Sequence, residues 1–355
     1  MKVLLLAGTG VMGSYLAQEY NKKGIETYIT SRLKRESYGT VRYLVGNAMN
    51  LDFLRQVCSQ THWDAIVDFL SYNTEQFRER YNILLNATNQ YVFISTGRVY
   101  GHEEYPIKET SPRLLDCSTD LEFLKTDEYS LTKARQENIL IESGHKNYTI
   151  IRPCIIYGDE RLQLGVLEKE EWLYRALHGR YVVFCKEILE RTTTMTNGLD
   201  VARAFINIIG NPKCKGETYH ITCSHHRTWR QIYEIYKSSI KEITGIDVKM
   251  KIVSLEDFIK SRPAYLKYQV VYDRVFDKMF DVTKVSSIID VSSFVAPEEG
   301  LKECLRNFIK QEKKFKYIPI KYEARRDKLT KSCSTLFDIP EWKQKIKYVI
   351  YRFIK

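Results

Sequence analysis

The stretch "KVLLLAGTGVMG", from Lys2 to Gly13, joins a short apolar run to a glycine-rich turn. The run predicts a buried strand, and residues 11–24 predict the helix that follows the turn. Gly8, Gly10 and Gly13 give the spacing G-x-G-x-x-G between them. In this context the first glycine permits a tight turn, the second lets a pyrophosphate approach the backbone, and the third lets the helix pack closely on the strand. The turn therefore predicts a dinucleotide site.

Apolar strand-like runs alternate with helix-length segments through the first half of the chain. The alternation predicts an α/β fold: a Rossmann doubly wound parallel sheet with helices on both faces. A smaller C-terminal α/β substrate lobe is predicted to follow. The predicted domains are 1–160 for the NADP-binding domain, with later strand segments returning to it, 161–310 for the substrate lobe, and 311–355 for a basic, Tyr-rich extension. The predicted strands are 2–7, 26–30, 43–47, 64–70, 91–96, 148–158 and 216–222, and the later predicted helices are 51–60, 75–88, 168–180, 198–211 and 228–245.

Composition and charge exclude several classes of protein. No apolar stretch approaches the roughly 18 residues that cross a bilayer. The eight cysteines lack CxxC or Cys/His ligand spacing, so we expect reduced thiols, no metal site and a cytoplasmic location. The net charge is +11, but residues 310–355 carry fourteen Lys/Arg and five Asp/Glu. The first 309 residues are therefore nearly neutral, which argues against a nucleic-acid groove across the main fold.

The end of the second strand bears on the choice of cofactor. Ser31 and Arg32 stand there, with Lys34 and Arg35 close behind and no acidic residue among them. An acid at this place accepts a hydrogen bond from a free ribose 2′-hydroxyl, whereas a guanidinium and a hydroxyl suit a 2′-phosphate. We therefore predict NADP(H) over NAD(H). The alternative is that these charges form only a solvated loop.

The segment "YSLTK" places Tyr129 and Lys133 four residues apart, on one face of a helix. A phenol has a reference pKa near 10, and a nearby ammonium favours its ionised form. Such a tyrosine can exchange a proton with a carbinol oxygen while a hydride moves at the adjacent carbon. The chain has 25 tyrosines, so the spacing by itself also fits chance.

The order of the surrounding motifs resembles the extended short-chain dehydrogenase/reductase family of nucleotide-sugar epimerases, dehydratases and reductases. "FISTGRVYG" (93–101) precedes "YSLTK", and "IIRPCIIYG" (150–158) follows it. "GLDVARAF" (198–205), "GETYHIT" (216–222) and "MFDVTKVSSI" (279–288) resemble motifs of the family's second half. The resemblance covers roughly residues 1–310.

The resemblance implies roles for individual residues. The implied catalytic residues are Thr96, Tyr129 and Lys133, and the implied substrate contacts are Arg98, Tyr72 and Tyr157. A homodimer is also implied. The implied cofactor contacts are Gly8, Thr9, Gly10, Val11, Met12, Gly13, Ser31, Arg32, Arg35, Asn47, Phe69, Leu70, Ser71, Ser95, Tyr129, Lys133, Pro153 and Ile156.

Four positions depart from the family pattern. Ala7 replaces the first glycine of G-x-x-G-x-x-G, and His220 replaces an asparagine. Asn47 stands where an aspartate meets the adenine amino group, and an amide oxygen also accepts that hydrogen bond. Arg98 is an unusual charge beside Thr96. Two roles stay open for it: contact with a substrate carboxylate or phosphate, or anchoring of its own loop.

Three functions follow as hypotheses. The first is an NADP(H)-dependent oxidoreductase that reduces a keto group of a nucleotide-activated (deoxy)hexulose in glycan biosynthesis. The second is a nucleotide-sugar epimerase that retains NAD(P). A dehydratase is disfavoured, because Gly97 and Arg98 stand where the family's dehydratases carry an Asp-Glu pair. A hypothesis of another class is an RNA-binding or regulatory protein on the same fold, although no nucleic-acid partner is expected here.

The tail "EWKQKIKYVIYRFIK" (341–355) places apolar residues near helical spacing with Lys and Arg between them. One hypothesis is a basic amphipathic helix in peripheral contact with an anionic membrane surface. The alternative is a terminal helix docked on its own protein or on a second subunit. The sequence leaves both open.

Overall fold

The computed structural model describes residues 1–339 and 341–354, so Pro340 and Lys355 of the predicted extension lie outside the described residues. The chain forms two compact units. The first comprises residues 1–156, 194–224 and 279–295, and the second comprises 157–193, 225–278 and 296–355. The predicted boundaries at 160 and 310 stay predictions. The strands are β1 (Lys2–Leu6), β2 (Glu26–Ser31), β3 (Val41–Val45), β4 (Ala65–Asp68), β5 (Tyr91–Ile94), β6 (Tyr148–Pro153), β7 (Ile155–Tyr157), β8 (Val182–Cys185), β9 (Thr192–Thr193), β10 (Met195–Asn197), β11 (Glu217–Ile221), β12 (Arg227–Thr228) and β13 (Met250–Val253).

The first unit is built on a seven-stranded sheet with the order β11-β6-β5-β4-β1-β2-β3. Every pairing in this sheet is parallel. From β1 the chain proceeds outward through β2 and β3, and from β4 it proceeds to the other edge. The strand order therefore reverses between β1 and β4, which in open α/β sheets marks the ligand crevice. The predicted Rossmann-type α/β fold is confirmed, and β11 returns from the later chain to this sheet.

Helices cover both faces of that sheet. Counted over both units, the helices of the described residues are α1 (Val11–Lys22), α2 (Leu51–Ser59), α3 (Thr74–Arg78), α4 (Tyr81–Asn86), α5 (Leu114–Cys117), α6 (Leu121–Leu124), α7 (Tyr129–Glu142), α8 (Leu173–Leu177), α9 (Lys186–Leu189), α10 (Gly198–Ile208), α11 (Trp229–Thr244), α12 (Leu255–Lys260), α13 (Lys267–Gln269), α14 (Thr283–Ser286), α15 (Pro297–Lys310), α16 (Ile320–Thr330) and α17 (Trp342–Val349). One core cluster joins β1 side chains to α1, α10 and α14. A second joins the opposite face to α2, α3, α4 and α7.

Two predicted elements are divided in the structure. The helix predicted at 75–88 is interrupted between α3 and α4, where the buried Arg80 guanidinium donates to the carbonyl oxygens of Gln76 at 2.5 Å and Met49 at 2.6 Å. The strand predicted at 148–158 becomes β6 and β7, and β7 pairs with β10 in a separate two-stranded sheet. Pro153 ends β6 and has no N–H for a further ladder bond. The helix predicted at 168–180 forms only over α8.

In the second unit, α16 of the predicted extension is held by buried ion pairs. Arg175 of α8 lies 2.5 Å from the Glu323 carboxylate and 2.9 Å from that of Asp327. The Tyr348 hydroxyl of α17 donates to Asp327 at 2.6 Å. Although burial opposes it, the Arg175 charge and these hydrogen bonds lower the pKa of Asp327. Removing one partner of a buried ion pair is strongly destabilising, because the other charge is left buried and uncompensated. These contacts therefore hold α16 and α17 within the second unit.

Candidate active site

The glycine turn follows β1 and starts α1, as predicted. A Cβ added to Gly13 would lie 2.4 Å from the Gly8 carbonyl oxygen, and one added to Gly8 would lie 2.7 Å from the Leu5 Cβ. Both glycines are therefore required by the close approach of helix and strand. Gly10 differs, because an added Cβ would meet nothing within 4 Å. The helix begins at Gly10 with no side-chain cap and no acidic residue in its first turn.

Ala7 adopts a left-handed backbone conformation, with φ +53°. An L-residue with a Cβ is strained in this region, whereas glycine is not. The Ala7 N–H donates to the Thr30 hydroxyl at the end of β2, at 2.8 Å. The replacement of a family glycine by Ala7 therefore has a conformational cost, and a neighbouring strand helps to hold the strained turn.

Many of the predicted cofactor contacts follow the carboxyl ends of parallel strands in this one sheet. Gly8 follows β1, Phe69 follows β4, Ser95 and Thr96 follow β5, and Pro153 ends β6. Arg32 and Arg35 come directly after β2 and are exposed, whereas Ser31 is buried and its hydroxyl donates to the Leu33 carbonyl at 2.8 Å. Parallel strands end at a common edge, so the topology brings these segments to one side of the sheet.

Tyr129 and Lys133 lie one turn apart at the start of α7 but differ in burial. Tyr129 is the first residue of the helix and its side chain is 38 % exposed, while Lys133 is 2 % exposed. The Lys133 ammonium lies 4.5 Å from the centroid of the Phe93 ring. Burial lowers the pKa of Lys133 to about 8, partly opposed by the carboxylates of Asp68 and Glu137. A lysine of this kind titrates close to neutral pH.

Arg98 follows Thr96 in a 3₁₀ turn over Gly97–Val99. Its guanidinium lies 2.5 Å from the Glu128 carboxylate and 5.3 Å from the centroid of the Tyr129 ring. Glu128 also accepts from the backbone N–H of Ser130 at 2.7 Å and so caps α7. Thr96 caps the 3₁₀ turn through the Arg98 N–H at 3.2 Å. Of the two roles that the sequence left open for Arg98, the ion pair with Glu128 is consistent with anchoring, and contact with a substrate anion stays a prediction.

A buried ionic network lies behind the ends of β5 and β6. Glu137 is fully buried and accepts from the Ser95 hydroxyl at 2.5 Å. The Arg152 guanidinium donates to both oxygens of Glu137, at 2.8 and 2.7 Å, and Arg113 donates to one of them at 3.2 Å. Two guanidiniums around one carboxylate satisfy a charge that would otherwise be very costly to bury. The Ser95 side chain is thereby committed to structure.

The network continues to β11. Arg152 donates to the Tyr100 hydroxyl at 2.6 Å, and that hydroxyl is hydrogen-bonded to the imidazole of His220. Burial, helped by the Arg152 charge, lowers the pKa of His220 to about 3. His220 is therefore neutral near pH 7. The imidazole at the family's asparagine position thus ties β11 to the turn after β5.

Asp68, at the end of β4, is a second buried carboxyl group of this region. It accepts from the Tyr91 hydroxyl at 2.8 Å and the Leu70 N–H at 3.0 Å. Burial raises the pKa of Asp68, against the opposing effect of these hydrogen bonds and the Lys133 charge. The carboxyl group of Asp68 and the ammonium of Lys133 therefore influence each other's ionisation, and Lys133 lies on the helix that carries Tyr129.

Both tyrosines implied as substrate contacts are buried. Tyr72 is 3 % exposed, packs in a core cluster and directs its hydroxyl toward Asp68. Tyr157 is fully buried, and Gly300 approaches its ring so closely that an added Cβ would collide with the hydroxyl. Neither side chain reaches the surface in this structure, and their roles as substrate contacts stay predictions. Asn47 is exposed and its amide oxygen accepts from the Met49 N–H at 3.1 Å.

The sequence reasoning did not identify Glu128, Glu137, Arg152 or Asp68. Signals for some of them existed: Glu137 lies four residues beyond Lys133 on the same helical face, and Arg152 is a charge within the apolar run "TIIRPCII". Within residues 1–339 and 341–354, no cluster of three or more His, Cys, Asp or Glu side chains is placed to hold a metal ion. No helix of the described residues is long and apolar enough to cross a membrane.

The fold and the glycine turn define a Rossmann-type dinucleotide-fold protein. Residues 3–222 match the NAD dependent epimerase/dehydratase family, and the chain belongs to that family. The resemblance to the extended short-chain dehydrogenase/reductases, enzymes of the nucleotide-sugar epimerase/dehydratase type, is thereby confirmed.

Individual relatives are distant. A chloroplast stem-loop binding protein of 41 kDa from Arabidopsis thaliana is 24 % identical over 64 % of this chain, and the match spans 60 % of that protein's length. A UDP-N-acetyl-alpha-D-glucosaminuronate decarboxylase from Bacillus cytotoxicus is 21 % identical over 86 % of this chain and 97 % of its own. Among solved structures, a UDP-glucuronic acid 4-epimerase from Bacillus cereus, in complex with UDP-glucuronic acid and NAD, superposes with a TM-score of 0.65. It is 17 % identical and covers 88 % of this chain and 100 % of its own.

Proposed function

We propose that the protein moves a hydride between a nicotinamide dinucleotide and a carbinol carbon of a nucleotide-activated sugar, with Tyr129 exchanging the proton. The observation that carries the proposal is the contrast between the half-exposed phenol of Tyr129 and the buried ammonium of Lys133, one helical turn further along α7. The family and the named activities of the relatives support the class of substrate.

The glycine turn fits a dinucleotide. Gly10 leaves open space where a side chain would stand, and the first turn of α1 has neither a side-chain cap nor an acid. Backbone N–H groups at such a helix start favour a pyrophosphate. We propose Gly8, Thr9, Gly10, Val11, Met12 and Gly13 as the residues that hold it. When bound, the nicotinamide supplies the acceptor or donor of the hydride.

The chain's own residues would handle the proton and the oxygen. The ionised Tyr129 side chain accepts the proton of the carbinol, and in the reverse direction its neutral hydroxyl donates a proton to the carbonyl oxygen, on the face of α7 that it shares with Lys133. The Thr96 hydroxyl donates a hydrogen bond to the same oxygen as its charge develops. Protonated Lys133 holds the cofactor ribose hydroxyls and favours the ionised phenol.

The finer proposal is net reduction of a keto group of a deoxyhexulose intermediate with NADPH. What supports NADP(H) is the absence of a carboxylate among residues 31–35 and the exposed cations that follow β2. The alternative is an epimerase with a retained cofactor, which the name of a relative 26 % identical over 39 % of this chain supports: UDP-glucose 4-epimerase of Lacticaseibacillus casei. A reductase depletes NADPH in step with product, whereas an epimerase does not.

One experiment tests the cofactor. The Bacillus cereus UDP-glucuronic acid 4-epimerase was solved with NAD, so binding of both NADPH and NADH is measured for the wild type and for Arg32→Asp. We expect the Kd for NADPH to rise by about tenfold or more and that for NADH to change little. The exposed Arg55→Asp on α2 is the matched control. Equal losses for both cofactors in Arg32→Asp would contradict the assignment.

The activity is tested with a panel of nucleotide sugars and their keto derivatives, following cofactor oxidation and sugar products. Tyr129→Phe, which removes only the hydroxyl, is expected to lower kcat by about 10²- to 10⁴-fold without changing the Kd for the cofactor more than twofold or so. Tyr181→Phe, a change at a similarly exposed tyrosine, is the control and keeps the wild-type rate. A Tyr129→Phe variant with undiminished turnover would overturn the proposal.

A second candidate is an RNA-binding protein, favoured by the name of the Arabidopsis relative and by the net charge of +11. Its discriminating measurement is binding of a stem-loop RNA as a function of salt. Strongly salt-dependent binding together with no turnover on the sugar panel would favour this candidate. Salt-insensitive or absent binding with turnover that requires Tyr129 would exclude it.

A further inference from the structure

The helix α17 has two faces of opposite character. One face packs on the second unit: Tyr348 is 1 % exposed and joins Ile320, Ala324 and Ile339 in an apolar cluster. Its hydroxyl also accepts from the backbone N–H of Ser334 at 2.7 Å. The helix is therefore anchored through one side, and its other side is turned away from that cluster.

The other face is apolar and exposed. Trp342, Ile346 and Val349 are 66 %, 51 % and 38 % exposed. At 100° per residue they lie within about 60° of one another around the helix. Phe353, 61 % exposed, and Ile354, in the turn that follows, extend the apolar surface. Burying aromatic and branched side chains from water is favourable, so a surface of this kind indicates an occupant.

The cations of α17 flank this face. Lys345 falls on one side of the apolar stripe, and Lys343 and Lys347 fall on the other. Residues 342–354 include these lysines and Arg352 but no acidic residue. An apolar stripe with Lys345 on one side and Lys343 and Lys347 on the other matches the arrangement of helices that lie in the interface of an anionic bilayer, with aromatic rings at the level of the headgroups.

We propose that α17 docks the protein on an anionic lipid surface, with Trp342, Ile346, Val349 and Phe353 inserted at the headgroup level. A second copy of the chain is a poorer occupant, because a twofold contact would place this patch against itself and bring like charges together. The docking uses none of the residues proposed for hydride transfer, so it stands or fails independently of the proposed function.

The test is co-sedimentation of the full chain with phosphatidylcholine vesicles, alone or with about one-third phosphatidylserine. We expect binding to the anionic vesicles to be about tenfold stronger and to weaken with added salt. The double variant Trp342→Ser with Phe353→Ser should lose roughly tenfold in affinity. Leu121→Ser with Tyr265→Ser, two exposed apolar residues elsewhere, is the matched control and binds like the wild type.

The following results would overturn the proposal of lipid docking. Absence of sedimentation with either vesicle, or equal binding by the Trp342/Phe353 variant and the wild type, removes the membrane as occupant. A wild-type dimer that the same variant converts to monomer, without lipid binding, assigns the face to a second copy. Tyr129→Phe must bind vesicles like the wild type, which separates this test from that of the activity.

Discussion

The guanidinium of Arg98 lies over the ring of Tyr129, 5.3 Å from its centroid, and the same group ion-pairs with Glu128, the residue immediately before that tyrosine. One guanidinium therefore contacts both the Tyr129 ring and the side chain that caps the start of the same helix. A cation over an aromatic ring is attracted to it, more strongly where water is partly excluded. Arg98 is therefore a positioning residue for the proposed proton-transferring group.

Arg98→Gln removes this cation and leaves Glu128 as a net negative charge beside Tyr129. On the proposed function, we expect kcat/KM in the direction of carbinol oxidation to fall by about tenfold near neutral pH and its pH profile to move to higher pH, because the Tyr129 hydroxyl loses a neighbouring positive charge. The measurement is the pH profile of kcat/KM. Arg98→Gln with Glu128→Gln restores neutrality and should recover most of the profile. A lower Tm with an unchanged profile would reduce Arg98 to a purely structural role.

The burial of Lys133 predicts how stability responds to alkaline pH. Its pKa is about 8 in the folded protein against 10.5 for the ordinary side chain, so between these values the unfolded chain holds more protons. Stability contributed by this residue therefore rises with pH across that window, by at most about 3 kcal/mol. We expect the free energy of unfolding of the wild type to increase relative to that of Lys133→Met from pH 8 upward.

Denaturant titrations at several pH values measure this gain. The exposed Lys125→Met is the control, and its curve should run parallel to that of the wild type. Parallel behaviour of Lys133→Met instead would mean that the ammonium is not desolvated in the folded protein.

The low pKa of His220 predicts how the stability of the protein responds to acidic pH. Its pKa is lowered from 6.5 to about 3, so the unfolded chain binds a proton that the folded chain excludes as the pH falls through this window. Stability is thus lost between about pH 6.5 and pH 3. His220→Gln removes this loss, and its free energy of unfolding should decline less steeply below pH 6.5. Substitution of the exposed His62 is the control, and an equally steep decline in His220→Gln would contradict the assignment.

The left-handed conformation of Ala7 predicts a stabilising substitution. Ala7→Gly relieves strain of about 1–2 kcal/mol and costs about 0.4–1 kcal/mol in unfolded-chain entropy. We expect a net gain of about 0.5–1 kcal/mol by denaturant titration. Ala17→Gly, in the interior of α1, is the matched control and should destabilise. A loss in Ala7→Gly as large as that in Ala17→Gly would show that the turn is not strained.

Local patterns anticipated most of the first unit and one long helix of the second. The apolar run of β1, the helix α1 and the three glycines between them follow from spacing alone, as does α11, which begins at the capping residue Thr228 and ends at Gly245 with φ +75°. Local sequence patterns gave a wrong prediction where a side chain forms hydrogen bonds with a segment that is distant along the chain. The helix predicted at 75–88 is broken because the Arg80 guanidinium binds a carbonyl on another segment, and such a partner is not visible in a sequence window.

The sequence by itself determined the class of this protein, because a strand, a glycine turn and a helix in that order admit few arrangements. It also nominated Thr96, Tyr129 and Lys133 through the order of their motifs. Only the tertiary structure decided which charges surround them. Glu137 and Arg152 are far apart along the chain, and burying one is tolerable only because folding brings the other within 2.7 Å. The burial of Tyr72 and Tyr157 was decided in the same way, since it depends on what the rest of the chain packs against them.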